Sequence, residues 1–201
     1  MRLFLKLVAY LLHPVLIPFA GTASYFLITP KYSPVEQQNG NLLPVFILTV
    51  IIPLICFLIL KNLGLVRSAF LHGIGERLWP LLITIGLLLM VVFRVIPNNY
   101  TPELYFYFVG LIAGATACLI LLLFRKKCSL HLMGLGSLLM FLIGLSIHFE
   151  VNITLAISAC TLAIGLAATS RLYLRAHRVT QLIIGLFIGV LSQLFTFKFW
   201  L

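Results

Sequence analysis

Apolar runs of about 17 to 25 residues recur from one end of this chain to the other, each long enough to cross a hydrocarbon layer of about 30 Å as a helix. No other feature limits the fold as strongly. Inside lipid every backbone amide needs a partner within the protein, and the alternation that barrel strands show is absent, so the runs are expected to be helices. Composition agrees: 62% of the 201 residues are hydrophobic, 9% are charged, and the mean hydropathy is +1.17. The expected fold is all-α, a polytopic transmembrane helix bundle of about six or seven spans. Residues 1–201 are expected to form a single integral membrane domain.

The spans read as Val8–Ile28, Leu42–Leu60, Trp79–Ile96, Leu104–Phe124, His131–Phe149, Val151–Ala168 and Leu182–Trp200. The first follows a basic start, MRLFLK, and runs on without a small-x-small cleavage site, so it reads as a retained helix. Pro14, Pro18 and Pro53 are expected to bend their helices. TPKYSPVEQQNGN, the longest polar stretch, reads as a surface loop, and IPNNYTPE as a turn. Cys56, Cys118, Cys128 and Cys160 have no paired loop spacing and read as helix-packing residues. Gly134, Gly136, Gly185 and Gly189 read as close-packing positions between helices.

In a soluble protein a net charge of +10 would suggest nucleic acid, but these fourteen basic residues sit between apolar runs, where anionic lipid headgroups are the expected partner. No nucleic-acid partner is expected. Eleven of the fourteen fall on one side: Arg2, Lys6, Lys61, Arg67, Arg77, Arg125, Lys126, Lys127, Arg171, Arg175 and Arg178. Lys31, Arg94 and Lys198 fall on the other. Enrichment of Lys and Arg in retained loops then puts the N-terminus and the basic side in the cytoplasm. A cluster gathered to bind phosphate would mimic that bias, yet removing Arg77, Lys127, Arg171 and Arg175 still leaves seven against three.

Three polar segments meet on the basic side: HGIGERLWP from His72, RKKCSLH from Arg125 and SRLYLRAHRVTQ from Ser170. Ionisable groups gathered at one end of a bundle mark a functional site, and these suggest phosphate chemistry. If the third segment is helical, Arg171, Arg175 and Arg178 share one stripe and Ser170, His177 and Gln181 an adjacent one. Guanidinium forks suit phosphate oxygens, and a neutral imidazole beside them can attack phosphorus or carry a proton. Gln181, one turn after His177, can accept the ring's other N–H. Ser129 reads as the N-cap of the next helix, with Lys126, Lys127 and His131 nearby, and Arg77 as a further donor. His13, His72 and His148 are read as incidental.

SRLYLRAHRVTQ resembles the third signature of the type 2 phosphatidic acid phosphatase superfamily: Ser-Arg, five residues, His, three residues, Asp. Ser170, Arg171 and His177 match, and Gln181 stands in place of the aspartate. CSLH resembles the second signature, Pro-Ser-Gly-His, in Ser129 and His131. The first signature is met loosely by ERLWP, with Arg77 before Pro80 and Phe70 in place of its lysine. The whole pattern, with HPVLIPF near the start, is similar to a divergent membrane branch found in bacteria of the Bacteroidota type.

The resemblance implies the helical core of that superfamily and a cofactor-free, metal-independent phosphatase of the inner membrane. Its substrates would be lipids such as phosphatidic acid, phosphatidylglycerophosphate or polyprenyl pyrophosphate. It implies His177 as nucleophile, held by Gln181, His131 as general acid, and Arg77, Lys127, Ser129 and Arg171 as the phosphate cradle. The alternative is a catalytically degenerate relative that binds lipid phosphate or serves as a subunit with membrane-protein partners. A small transporter stands third, since no internal repeat is evident.

Overall fold

In the computed structural model, which describes residues 2–67, 73–96 and 100–201, the chain is an all-helical bundle. Phe70 and His72 lie outside the described residues, as does part of the IPNNYTPE turn. The helices are α1 (Arg2–Leu11), α2 (Ile17–Ile28), α3 (Val35–Phe46), α4 (Ile52–Asn62), α5 (Gly75–Met90), α6 (Pro102–Leu123), α7 (Leu130–His148), α8 (Thr154–Tyr173) and α9 (Val179–Phe197). They make up seven stretches long and apolar enough to cross a membrane, because α1 and α2 share one and α3 and α4 another. Side chains such as Leu58, Phe93, Leu155, Leu162, Phe187 and Phe195 stand exposed on the outside. In a lipid-facing bundle that exposure costs nothing.

Two of the expected bends are present, each with a local cause. Leu12 and His13 leave the helix after α1, and a 3-10 turn at Pro14–Leu16 leads into α2. Between α3 and α4 the backbone widens to a π-turn at Ile47–Ile51, ahead of Pro53, which has no N–H to donate. The sequence reading places a loop over Thr29–Asn41, but α3 starts at Val35. Glu36 in its first turn complements the helix dipole, and the Gln38 amide donates to the Ser33 carbonyl at 2.9 Å. Likewise, α1 begins six positions before the expected Val8, because Leu5, Val8 and Ala9 form a buried stripe.

The helix α7 is the most enclosed of the spans, and it packs on α9, α8, α2 and α6. Its closest neighbour is α9, and the glycines make that approach possible. A Cβ at Gly189 would lie 2.0 Å from the Met133 carbonyl oxygen, and one at Gly185 2.4 Å from that of Ser129. Both contacts are with backbone, so no rotamer change relieves them. Gly189→Ala is expected to destabilise the fold by about 1–3 kcal/mol, seen as a lower unfolding temperature in detergent. Gly165→Ala, with nothing within 4 Å of the added carbon, is the control. Equal stability of both variants would contradict the α7–α9 contact.

At the end of the bundle away from the basic segments, the Glu103 carboxylate is buried beneath three donors. Tyr25 Oη donates at 3.1 Å, His148 Nε2 lies at 3.1 Å, and the Lys31 ammonium pairs with the same carboxylate. His148, which the sequence leaves as incidental, therefore has a partner. This cluster joins α2, the segment after it, α6 and α7 at one end of the bundle.

Candidate functional site

Four helix C-termini close in the same way. In each, a residue with positive φ (Gly64, Arg125, Glu150 or Arg175) follows the helix, and paired backbone bonds reach back to its last turn. After α8 these bonds are Arg175 N to Leu172 O and Ala176 N to Arg171 O, both 3.0 Å. This corrects the expectation of one helical stripe through Ser170–Gln181. The segment is instead a reversal between α8 and α9, with Arg175 and Arg178 exposed on its outside. Arg171 stays in the last turn of α8 and is buried, 3% exposed.

The reversal brings His177 back over the bundle. Its Nδ1 lies 3.0 Å from Gln181 Oε1, and that same oxygen accepts the Arg178 backbone N–H at 3.3 Å. Because Oε1 accepts from a main-chain amide, it is the carbonyl end of Gln181, and His177 must carry its proton on Nδ1. Nε2 is left with its lone pair. The His177–Gln181 pairing expected from the sequence is present, but it comes from the capping of α9 and not from a continuous helix.

Arg77, His131, Arg171 and His177 line the same cavity, of about 150 Å3. Each comes from a different part of the chain: the first turn of α5, the start of α7, the end of α8 and the α8–α9 reversal. An Arg77 amino group donates to the Cys128 carbonyl at 3.3 Å, and His131 Nε2 donates to the Ala9 carbonyl at 3.2 Å. The lining then becomes apolar, with Leu81, Leu88, Leu111 and Ala115 among its residues. On α5 it extends from Arg77 to Leu88, a depth of about 16 Å at 1.5 Å per residue. The side-chain carboxylates of the sequence are Glu36, Glu76, Glu103 and Glu150, and none of them lines the cavity. A narrow apolar channel with a cationic, imidazole-rich end suits an anion carried on an apolar chain.

The other expected residues stand at the edge. Lys127 lines a smaller adjoining cleft with Arg77 and Cys128, and its charge reaches His177. Ser129 does not line the cavity: it is fully buried as the N-cap of α7, accepting from Leu132 N at 3.4 Å, and its own N–H donates to the Gln181 carbonyl. A direct phosphate contact from Ser129 is therefore not part of this geometry. Cys128 takes part in more than packing. A hydrogen bond with Cys118 holds its thiol below the usual value, burial opposes this, and Arg77 adds to the lowering. Among the described residues, no group of three or more His, Cys, Asp or Glu side chains is arranged to hold a metal ion.

His13 was missed by the sequence reading. It lines the cavity, and its ring meets that of His131 edge to face with centroids 5.3 Å apart. The only local signal was its position before Pro14, where a histidine can cap a turn; the contact with His131 spans more than a hundred residues.

Burial, then the charges of Arg77, Arg171 and Lys127, hold the His177 imidazole down to about 4, with the Gln181 bond opposing them. Its value thus lies below the ordinary one of about 6.5, so the folded chain keeps the ring neutral where the unfolded chain would protonate it. His177 therefore disfavours folding as pH falls from about 6.5 toward 4, and above that range its neutral form is fully present. In nitrogen-15 spectra His177 is expected to remain the Nδ1–H tautomer until pH reaches about 4. Gln181→Glu, which puts a carboxylate at the same position, is expected to raise that midpoint. A native midpoint at the ordinary value, or no rise in the variant, would contradict this electrostatic picture.

Comparison with known protein families gives no match, and neither does comparison with curated proteins or with solved structures.

Proposed function

We propose that this chain is a metal-independent lipid phosphate phosphatase of the bacterial inner membrane, similar in its site to the type 2 phosphatidic acid phosphatases. The observation that carries this reading is the cavity: two guanidinium groups and the His131 and His177 imidazoles at one end, no carboxylate in its lining, and an apolar channel beyond. Its substrate is a phosphate or pyrophosphate ester on an apolar chain, with the anion at the basic end and the start of the chain in the channel.

His177 Nε2 attacks phosphorus, an N–P bond forms, and the ester P–O bond breaks toward the leaving oxygen. His131 supplies the proton from Nδ1, since its Nε2–H is held by the Ala9 carbonyl. Arg77 and Arg171 stabilise the charge on the phosphoryl oxygens. Water then cleaves the phosphohistidine, and His131 takes up a proton as general base. Gln181 fixes the tautomer of His177 but offers less than a carboxylate would to the ring once it becomes positive.

Phosphate release by the purified protein in detergent, from a panel of lipid mono- and pyrophosphates without added metal, tests this. Release from at least one chain-bearing phosphate is expected. Binding of those lipids without release would favour the alternative, a relative that holds lipid phosphate but does not turn it over. The excess of Lys and Arg at the site end supports a cytoplasmic orientation for it. An impermeant thiol reagent should then label Tyr32→Cys, beside Lys31 and exposed, and spare Arg125→Cys in intact cells, and the reverse pattern would overturn the orientation.

A further inference from the structure

We propose that His13 is a fifth side chain at the reacting phosphate, a neutral hydrogen-bond donor to the ester oxygen that leaves; this rests on the hydrolytic reading above. His13 sits in the break between α1 and α2 with an extended backbone, φ −66° and ψ 137°. Its Nδ1 accepts the Val15 backbone N–H at 3.3 Å. A nitrogen that accepts from an amide carries no proton, so the ring is neutral and its proton sits on Nε2. The cap on the 3-10 turn thus sets the tautomer.

The position of His13 singles out the ester oxygen. On one side its ring packs against His131 at the polar end of the cavity. On the other, the next residues in the chain, Pro14, Val15, Ile17 and Pro18, line the cavity. His13 therefore stands where a headgroup would join its chain, and in a phosphate ester the atom at that junction is the bridging oxygen. When the P–O bond breaks, its electron pair collects on this oxygen. His131 Nδ1 gives it a proton, and His13 Nε2–H binds a second lone pair without transferring its own proton. His13 stays neutral throughout, so the bond to Val15 N is kept at every step. A donor aimed at charge that develops only in the transition state contributes to turnover more than to binding.

Two amide substitutions separate this role from a structural one. Asparagine reproduces the cap, since its side-chain oxygen can accept from the amide two residues on, but it lacks a donor at the reach of Nε2. Glutamine places an amide N–H near the Nε2 position and gives up the cap. With dodecyl phosphate, His13→Asn is expected to lower kcat by about 100-fold with little change in KM, while His13→Gln keeps activity within about tenfold of the native chain. With p-nitrophenyl phosphate, whose leaving oxygen needs little stabilisation, His13→Asn is expected to stay within about twofold. Native-like turnover of dodecyl phosphate by His13→Asn would overturn the proposal. An equal loss on both substrates, or recovery by Asn and not Gln, would also overturn it by making His13 only a cap. Absence of turnover in the native chain would sink the hydrolytic reading, and this role with it.

Discussion

His177→Ala is expected to lower phosphate release from a chain-bearing phosphate ester by about 10⁴-fold or more, with lipid binding largely retained. The expectation follows from the division of labour in the cavity. Arg77, Arg171 and His131 line the same cavity and remain after the substitution, so the attraction for the proposed lipid anion is kept. What is lost is the Nε2 lone pair of His177: Gln181 holds the proton on Nδ1 and leaves Nε2 to attack. Removing one nucleophile from a catalytic unit costs nearly as much as removing the whole unit, about 10⁶-fold in the protease example, and the residual rate comes from electrostatics. Steady-state release and a lipid-binding titration on the same preparation check both halves. A variant that keeps a tenth of native turnover would show that His177 is not the nucleophile.

Lys31→Met is expected to destabilise the fold by about 3–5 kcal/mol, more than Glu103→Gln does. The asymmetry comes from burial. Glu103 is 1% exposed and Lys31 44% exposed, so the lysine can return to water if its partner is removed, whereas the carboxylate cannot. Losing the cation leaves a buried anion with Tyr25 and His148 as its remaining donors. In Lys31→Met/Glu103→Gln the charge is gone and most of the stability should return. Chemical unfolding in detergent micelles measures all three variants. Equal effects of the two single substitutions would mean that the carboxylate is not held by the lysine.

The apolar runs were legible because membrane insertion is written in local composition: every expected span coincides with a helical stretch, and the main shifts are at polar ends. The start of α3 at Val35 was hidden because a helix that continues past the membrane surface needs no apolar residues there. Glycine spacing on α7 and α9 was a usable sign of close approach. In contrast, the pairing of His148 with Glu103 and of His13 with His131 depends on which helices pack together, and no local pattern carries that information.

The same distinction holds for the candidate site. Arg77, His131, Arg171 and His177 come together at one cavity, and their meeting at one end of the bundle followed from the alternation of spans. The reversal at Arg175 was not legible, because a left-handed residue at a helix end is usually glycine and here is arginine. Ser129 had the composition of a phosphate ligand and the position of an N-cap, and in the folded chain its hydroxyl is taken up by the cap.

An attempt to trap a phosphohistidine tests the proposed hydrolytic role of His177 most directly. The native chain, mixed briefly with a phosphorus-32-labelled alkyl phosphate and quenched in alkali, should carry an alkali-stable, acid-labile label on the peptide containing His177, and His177→Ala should carry none. Hydrolysis of the same substrate with no label on that peptide, or a label that persists in His177→Ala, would contradict it.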